Sequence, residues 1–181
     1  MQKRLIINST LLAITIERLC RQLIENHNHF NETVIIGLQP KGAFLAQRIS
    51  NKLEQLLQKE IQHGTLDISF NRDDYRRREI PSNSYPTHNP FPIEGKKVVL
   101  IDDVLFTGRS VRSALEALVS FGRPSKVEFL TLVDRKHARH VPIEADYVGR
   151  KVNTLPTERV AVELKEQGFE QDNIWLITKN E

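Results

Sequence analysis

Leu12, Ile16, Leu19 and Leu23 recur at steps of four, three and four, which lines one face of an amphipathic helix over roughly residues 10–27. The period then changes. "TVIIGL" at 33–38 is a short β-branched run with no polar alternation, and it predicts a strand buried on both faces. Gln39-Pro40-Lys41-Gly42 turns into a second helix, with Leu45, Ile49, Leu53 and Leu56 on its inner face. "LDISF" (66–70), "KVVLI" (97–101) and "VEFLTLV" (127–133) predict further strands. Between the last two, Val111, Ala114, Leu115 and Leu118 make a helical stripe that stops at Gly122, with Pro124 just beyond. "YVGRK" (147–151), "RVAVEL" (159–164) and "NIWLIT" (173–178) read as strands too.

Strands alternating with helices predict an α/β fold: one domain over 1–181, its mainly parallel central sheet flanked by helices. In such sheets ligands bind beyond the carboxyl ends of the strands. Residues 37–42, 102–110 and the end of "LTLVDRKH" are therefore expected to meet at one edge. The interval 71–97 breaks the pattern. It is polar, has no period of two or 3.6, and holds four of the eight prolines. Its arginines, Arg72, Arg76, Arg77 and Arg78, suit a flexible lid that contacts phosphate, although a solvated insertion has the same composition.

Composition narrows the class. The chain has 181 residues, 39% hydrophobic and 27% charged, which suits a soluble globular domain with a sizeable core. One cysteine, Cys20, excludes an internal disulfide, and no Cys/His set has zinc-ligand spacing. His27 and His29, at a helix end, are expected to be solvated. No apolar run approaches the roughly 18 residues of a membrane span, and the N-terminus lacks a secretory signal, so a cytoplasmic location without membrane contact is expected. The formal net charge of +3 is weak support for nucleic acid.

The chemistry concentrates in "VVLIDDVLFTGRS", residues 98–110. A buried strand runs into two adjacent carboxylates, Asp102 and Asp103, which are costly there unless something pairs with them. Val104, Leu105, Phe106, Thr107, Gly108, Arg109 and Ser110 then lead into a helix N-terminus, where backbone N–H groups and the dipole favour an anion. Gly108 permits a close, curved backbone approach. Ser110 alone is equally explained as a helix cap; the two aspartates are not. Ionised carboxylates accept from vicinal hydroxyls and attract Mg²⁺. Adjacent residues of a strand face opposite sides, so one diol can be gripped by both only if the backbone turns there. Neither GxxxxGK[ST] nor GxGxxG occurs, which disfavours nucleoside triphosphate hydrolysis and dinucleotide binding. A sugar phosphate with free hydroxyls remains.

This strand, double acid and Thr-Gly turn resemble the phosphoribosyl-pyrophosphate motif of the type I phosphoribosyltransferases. "GLQPKGAFLAQRI", "DISFNRDDYRRR", "GRSVRSALEALVSFGRPSKVEFLTLVDRKH" and "PIEADYVGRKVNT" extend the resemblance over most of residues 10–165, toward bifunctional regulators of pyrimidine operons that are also uracil phosphoribosyltransferases. The resemblance implies a five-stranded parallel sheet, a small hood built from chain ends and the loop after Asp134, and a lid. It implies transfer of a phosphoribosyl group to uracil with Mg²⁺, giving UMP and pyrophosphate. By that likeness Asp102 and Asp103 hold the ribose hydroxyls and, indirectly, the metal. Val104–Ser110 cradle the 5′-phosphate. Gln39–Gly42, with Lys41 and Gly42, form the pyrophosphate loop; Arg72 faces pyrophosphate; and Val133, Asp134 and Arg135 face the base. It also implies an mRNA leader bound under control of UMP or UTP, through Arg18, Arg21, Arg139, Arg150 and Lys151, and a homodimer or higher homo-oligomer.

Four residues depart from the pattern. Pro40-Lys41 stands where these regulators carry Thr-Arg; lysine keeps the charge and loses the bidentate fork. Glu17 and Glu144 stand where neutral or basic residues are expected on an RNA face, and acid there opposes phosphate. An enzyme for another base, purine or orotate, and a salvage enzyme without RNA binding are the rival readings.

Overall fold

The computed structural model describes residues 2–69 and 86–178. Arg72 and Arg76–Arg78 lie outside the described residues. The elements run β1 (Gln2–Ile7), α1 (Ser9–His27), β2 (Thr33–Leu38), α2 (Lys41–Leu57), β3 (His63–Leu66), β4 (Lys97–Leu105) and α3 (Arg109–Leu118). After a short 3-10 turn at Val119–Phe121 come β5 (Lys126–Lys136), β6 (Tyr147–Asn153), β7 (Glu158–Glu163), a second such turn at Lys165–Gln167, and β8 (Asn173–Thr178).

The central sheet is five-stranded, order β3-β2-β4-β5-β6, and each of its pairings is parallel. Every residue of β2 is buried because both faces of the sheet are covered. On one face Ile35, Val99, Ile101, Leu130 and Leu132 pack with Leu12, Leu19 and Leu23 of α1 and Leu45, Ile49 and Leu53 of α2. On the other, Val34, Ile36, Val98, Leu100 and Phe129 pack with Val111, Ala114 and Leu118 of α3. Each fully buried Leu, Ile or Val is worth about 1.5–3 kcal/mol.

The chain ends make a second, three-stranded antiparallel sheet, order β1-β8-β7. This hood is bolted to α2 by Arg48, which reaches Asp172 with Nη1 and Nη2, each at 2.8 Å, and Glu166 with Nε at 2.6 Å. Arg48 holds both carboxyls below their ordinary range.

Several expectations are corrected. The third strand lies at His63–Leu66, not 66–70; the chain leaves the sheet where Asp67 Oδ1 accepts from Ser69 N in a local turn. β1 carries no periodic signal in the sequence, because its side chains are largely exposed and only Ile7 is fully buried. Leu115, expected on the inner stripe of α3, is 41% exposed. The segment after Asp134 continues as strand to Lys136 instead of joining the hood. His27 is buried, not solvated: Nε2 lies 2.7 Å from Glu128 Oε2, and Nδ1 3.1 Å from Thr33 Oγ1. Asn26 donates to the Tyr147 hydroxyl, which donates to Glu128, so the network joins α1, β2, β5 and β6 at the sheet's amino edge.

Candidate active site

Because β2, β4 and β5 are parallel, their carboxyl ends share one edge, and the residues singled out there converge. The approach of α2 to β4 is set by glycine. A Cβ on Gly42 would lie 2.3 Å from the Ile101 carbonyl oxygen, and one on Gly37 would lie 2.5 Å from that of Gly42. This close approach brings Lys41 over the end of β4. Lys41 Nζ lies 3.7 Å from Asp103 Oδ2 and donates to the Val162 carbonyl of the hood at 3.0 Å. Burial pushes the Asp103 carboxyl up, and the Lys41 ammonium opposes that push.

Asp102 and Asp103 both lie within β4, which runs on to Leu105, so the backbone does not break between them. Asp102 Oδ1 instead accepts the Asp103 N–H at 2.9 Å, drawing the first carboxylate toward the second residue's backbone. Thr131, fully buried opposite Asp102, donates to the Val133 carbonyl at 3.1 Å.

The following loop ends at a glycine-capped helix N-terminus. Gly108, φ +86°, stands at the N-cap of α3, and no side chain caps the helix. Ser110 is therefore inside the first turn and is not the cap; the Arg109 N–H meets the Thr107 hydroxyl oxygen at 3.4 Å, and the helix dipole favours an anion at this end. The loop is held from behind by residues 137–143. His140 N and Val141 N both donate to the Thr107 carbonyl, at 2.9 and 3.1 Å, and a Cβ on Gly108 would meet Val141 O at 3.3 Å.

Arg139 fastens this strap. It donates to the carbonyls of Phe106 at 2.6 Å, Arg135 at 3.0 Å and Ile143 at 3.0 Å, and it pairs with the buried Asp134. Asp134 and Arg135 are both buried, as is Val133. Arg135 donates from Nε to Thr154 Oγ1 at 3.0 Å and from Nη2 to the Glu158 carbonyl at 2.9 Å, while its guanidinium carbon lies 3.8 Å from the Phe106 ring centroid. The strap and this stack are not legible in the sequence, since nothing local marks which carbonyls an arginine will reach.

The basic set expected on an RNA face is divided. Arg18 donates to Gly149 O at 2.6 Å and Arg150 to Ile6 O at 2.7 Å, on the side of β6 against α1. Arg21 pairs with Glu17 at 3.0 Å. The exposed Lys151 instead lines a cavity of about 450 Å³ with Asp134, Lys136, His137, Arg139, Pro142, Ile143 and Glu144.

A five-stranded parallel sheet with a double acid, a glycine-capped helix and a lysine-bearing loop at its carboxyl edge defines a phosphoribosyltransferase, and the model of the phosphoribosyl transferase domain matches residues 6–167. The fold is similar to a hypoxanthine-guanine phosphoribosyltransferase of Bacillus anthracis (TM-score 0.68, 17% identity, 98% of this chain and 100% of that one). It is likewise similar to the hypoxanthine phosphoribosyltransferase of Trypanosoma cruzi (TM-score 0.72, 13% identity, 98% and 97%). At that identity the likeness is one of fold alone. The sequence itself is similar to the bifunctional protein PyrR of Elusimicrobium minutum, 40% identical over 178 residues and 98% of both chains. It is 37% identical to that of Enterococcus faecalis over 181 residues and 100% of both, and 43% identical to that of Actinobacillus succinogenes over 164 residues, 88% of this chain and 90% of that one. The chain belongs to the PyrR family of phosphoribosyltransferases.

Proposed function

We propose that the protein transfers the phosphoribosyl group of phosphoribosyl pyrophosphate to uracil, giving UMP and pyrophosphate. The observation that supports this most directly is the meeting of Lys41 and Asp103 beside a helix N-terminus with no side-chain cap, in a PyrR-family chain. Uracil N1 forms a bond to the ribose anomeric carbon, the carbon–oxygen bond to pyrophosphate breaks, and N1 loses its proton. Carboxylates near the ring favour the oxocarbenium-like charge that builds on the ribose. Asp102 and Asp103 hold the hydroxyls, Val104–Ser110 the 5′-phosphate, and Lys41 with Gly42 the departing pyrophosphate. On pyrophosphate arrival Lys41 exchanges Asp103 and a carbonyl for phosphate oxygens, a stronger charge-assisted interaction.

Mg²⁺ suits this donor set. Among the described residues no cluster of three or more His, Cys, Asp or Glu could cage a metal. Mg²⁺ commonly takes one or two carboxylates plus substrate oxygens and water, which Asp102, Asp103 and the substrate offer. Bound there it would neutralise charge on the leaving group. Arg72 is assigned to the same leaving group, and Val133, Asp134 and Arg135 to the base. Pyrophosphate release measured with uracil, orotate, hypoxanthine and guanine tests the reading. Release with uracil, dependent on Mg²⁺, is expected; turnover of a purine or orotate in its place would overturn it.

The second activity is binding of a pyrimidine mRNA leader, governed by UMP or UTP. Lys136 and Lys151 around the 450 Å³ cavity favour this reading, since they place positive charge on one flank of the site, with Glu144 beside them opposing it. A homodimer or larger homo-oligomer accords with it, because Arg18 and Arg21 lie on a different face from that cavity.

A further inference from the structure

We propose that Arg139 is a positioning residue of the phosphoribosyl site. Through the strap at 137–143 it fixes the peptide planes of the loop after β4, so that successive N–H groups of that loop face the 5′-phosphate. The proposal rests on the phosphoribosyl reading of the site and deepens it, and it takes Arg139 out of the RNA-binding set.

The commitments of the side chain decide this. Nε donates to Ile143 O at 3.0 Å, Nη1 to Phe106 O at 2.6 Å and Arg135 O at 3.0 Å, and Nη2 pairs with the buried Asp134. A guanidinium engaged on all three nitrogens has no two-pronged edge to offer an RNA phosphate. Asp134 sets the angle of the fork. It lies in β5 opposite Leu105, so it does not move unless the sheet does.

What the strap holds is one side of the loop. Arg139 Nη1 reaches Phe106 O and, at 3.4 Å, Leu105 O, while His140 N and Val141 N both donate to Thr107 O. Three successive carbonyls are thus drawn toward the strap. These peptides are trans and planar, so each N–H points opposite to the carbonyl of its own peptide. The N–H groups of Phe106, Thr107 and Gly108 therefore turn together to the far side of the loop. Successive N–H groups on one side of a turn make an anion-binding concavity. Gly108 also opens α3, whose dipole favours an anion at the same end. A glycine at φ +86° holds no fixed shape by itself, so the loop depends on an external hold.

The 5′-phosphate lies away from the bond that breaks and is held alike in substrate and transition state. Weakening its seat raises KM for phosphoribosyl pyrophosphate more than it lowers kcat. The test adds binding to turnover. Ribose 5-phosphate and inorganic pyrophosphate are titrated on the wild type, Arg139→Ala and Val141→Pro, each with its thermal transition recorded. Val141→Pro deletes one donor to Thr107 O and leaves Arg139 and Asp134 in place. Arg139→Ala is expected to weaken ribose 5-phosphate about tenfold, the size of one hydrogen bond to a charged acceptor, and Val141→Pro about threefold. Pyrophosphate, assigned to the Lys41 loop, should stay within about twofold in both. Millimolar guanidinium should return Arg139→Ala toward wild-type affinity, since Arg139 lines a cavity of about 450 Å³ through which that cation enters. Methylammonium, which lacks the fork, should not.

Unchanged ribose 5-phosphate affinity in both variants would overturn the proposal. So would an equal loss for pyrophosphate, or a fall in kcat with KM unmoved, since either marks general damage to the fold. Wild-type protein that binds ribose 5-phosphate but does not turn over uracil would overturn the uracil reading alone, and the same titrations would still decide the strap.

Discussion

Asp103 carries a carboxyl pushed up by burial and opposed by Lys41 at 3.7 Å and by hydrogen bonds from the backbone of Asp103 and Val104. That arrangement explains how the chain tolerates the charge when no substrate is bound. Asp102→Asn and Asp103→Asn keep shape and remove charge, so each is expected to lower kcat/KM by about 1–3 kcal/mol, roughly 5- to 150-fold, in steady-state assays over phosphoribosyl pyrophosphate. Near-normal kinetics in both variants would remove the ribose assignment. Lys41→Arg restores a fork in the pyrophosphate loop. It should lower the KM for phosphoribosyl pyrophosphate if the loop accommodates the larger head.

At the scale of elements, two junctions set the geometry. α2 meets β4 without a side chain between them, so Gly42→Ala must move backbone against Ile101 O. About 1–3 kcal/mol of stability to denaturant should disappear, and the KM for phosphoribosyl pyrophosphate should rise because Lys41 moves with the helix. The hood is held to α2 through Arg48, and Arg48→Ala should cost roughly 1–3 kcal/mol by leaving Asp172 and Glu166 unpaired. Both carboxyl pKa values are depressed in the fold, first of all by hydrogen bonds from Arg48. The unfolded chain therefore binds more protons as pH falls below about 4.5. Stability present above that pH is lost on acidification through the folded values. A series of thermal melts should show this acid-side decline in the wild type and a flatter one in Arg48→Ala.

Across the whole molecule the two poles of the sheet have different tasks. The amino pole is tied by the His27 network. Burial depresses His27, with Glu128 opposing, and Lys97 and Lys126 add to the depression. A base with a lowered folded pKa favours the neutral form, so its contribution is complete above about pH 6.5 and declines as pH falls toward the folded value. Melting between pH 7.5 and 5 should reveal that slope, and His27→Gln should remove it. At the carboxyl pole, Lys151 and Arg139 line one cavity with different commitments. Filter binding of a pyrimidine leader over a salt series should show Lys151→Ala lowering the slope by about 0.7–0.9 for each phosphate that the lysine neutralises. Arg139→Ala should instead impair phosphoribosyl transfer, since its guanidinium holds the Phe106 carbonyl and Asp134.

The local sequence determined β2, β4, β5 and the buried stripes of α1 and α2, because a strand covered on both faces must be apolar throughout and a helix covered on one must repeat near 3.6. It also determined that two aspartates and a Thr-Gly turn lie toward the carboxyl edge of the sheet, where parallel strands all end. Only the tertiary structure decided what those residues touch. β1 is recruited by pairing with β8, across almost the whole chain, and its exposed side chains announce nothing. His27 is buried by Glu128 and Tyr147, each about a hundred residues or more away. Arg139 and Arg135 look like surface cations in sequence, yet they donate to the carbonyls of Phe106, in the loop after β4, and of Glu158, in the hood. A carbonyl accepts whatever its residue type, so the partners of an arginine are fixed by which backbones the fold brings near, and no residue pattern records that.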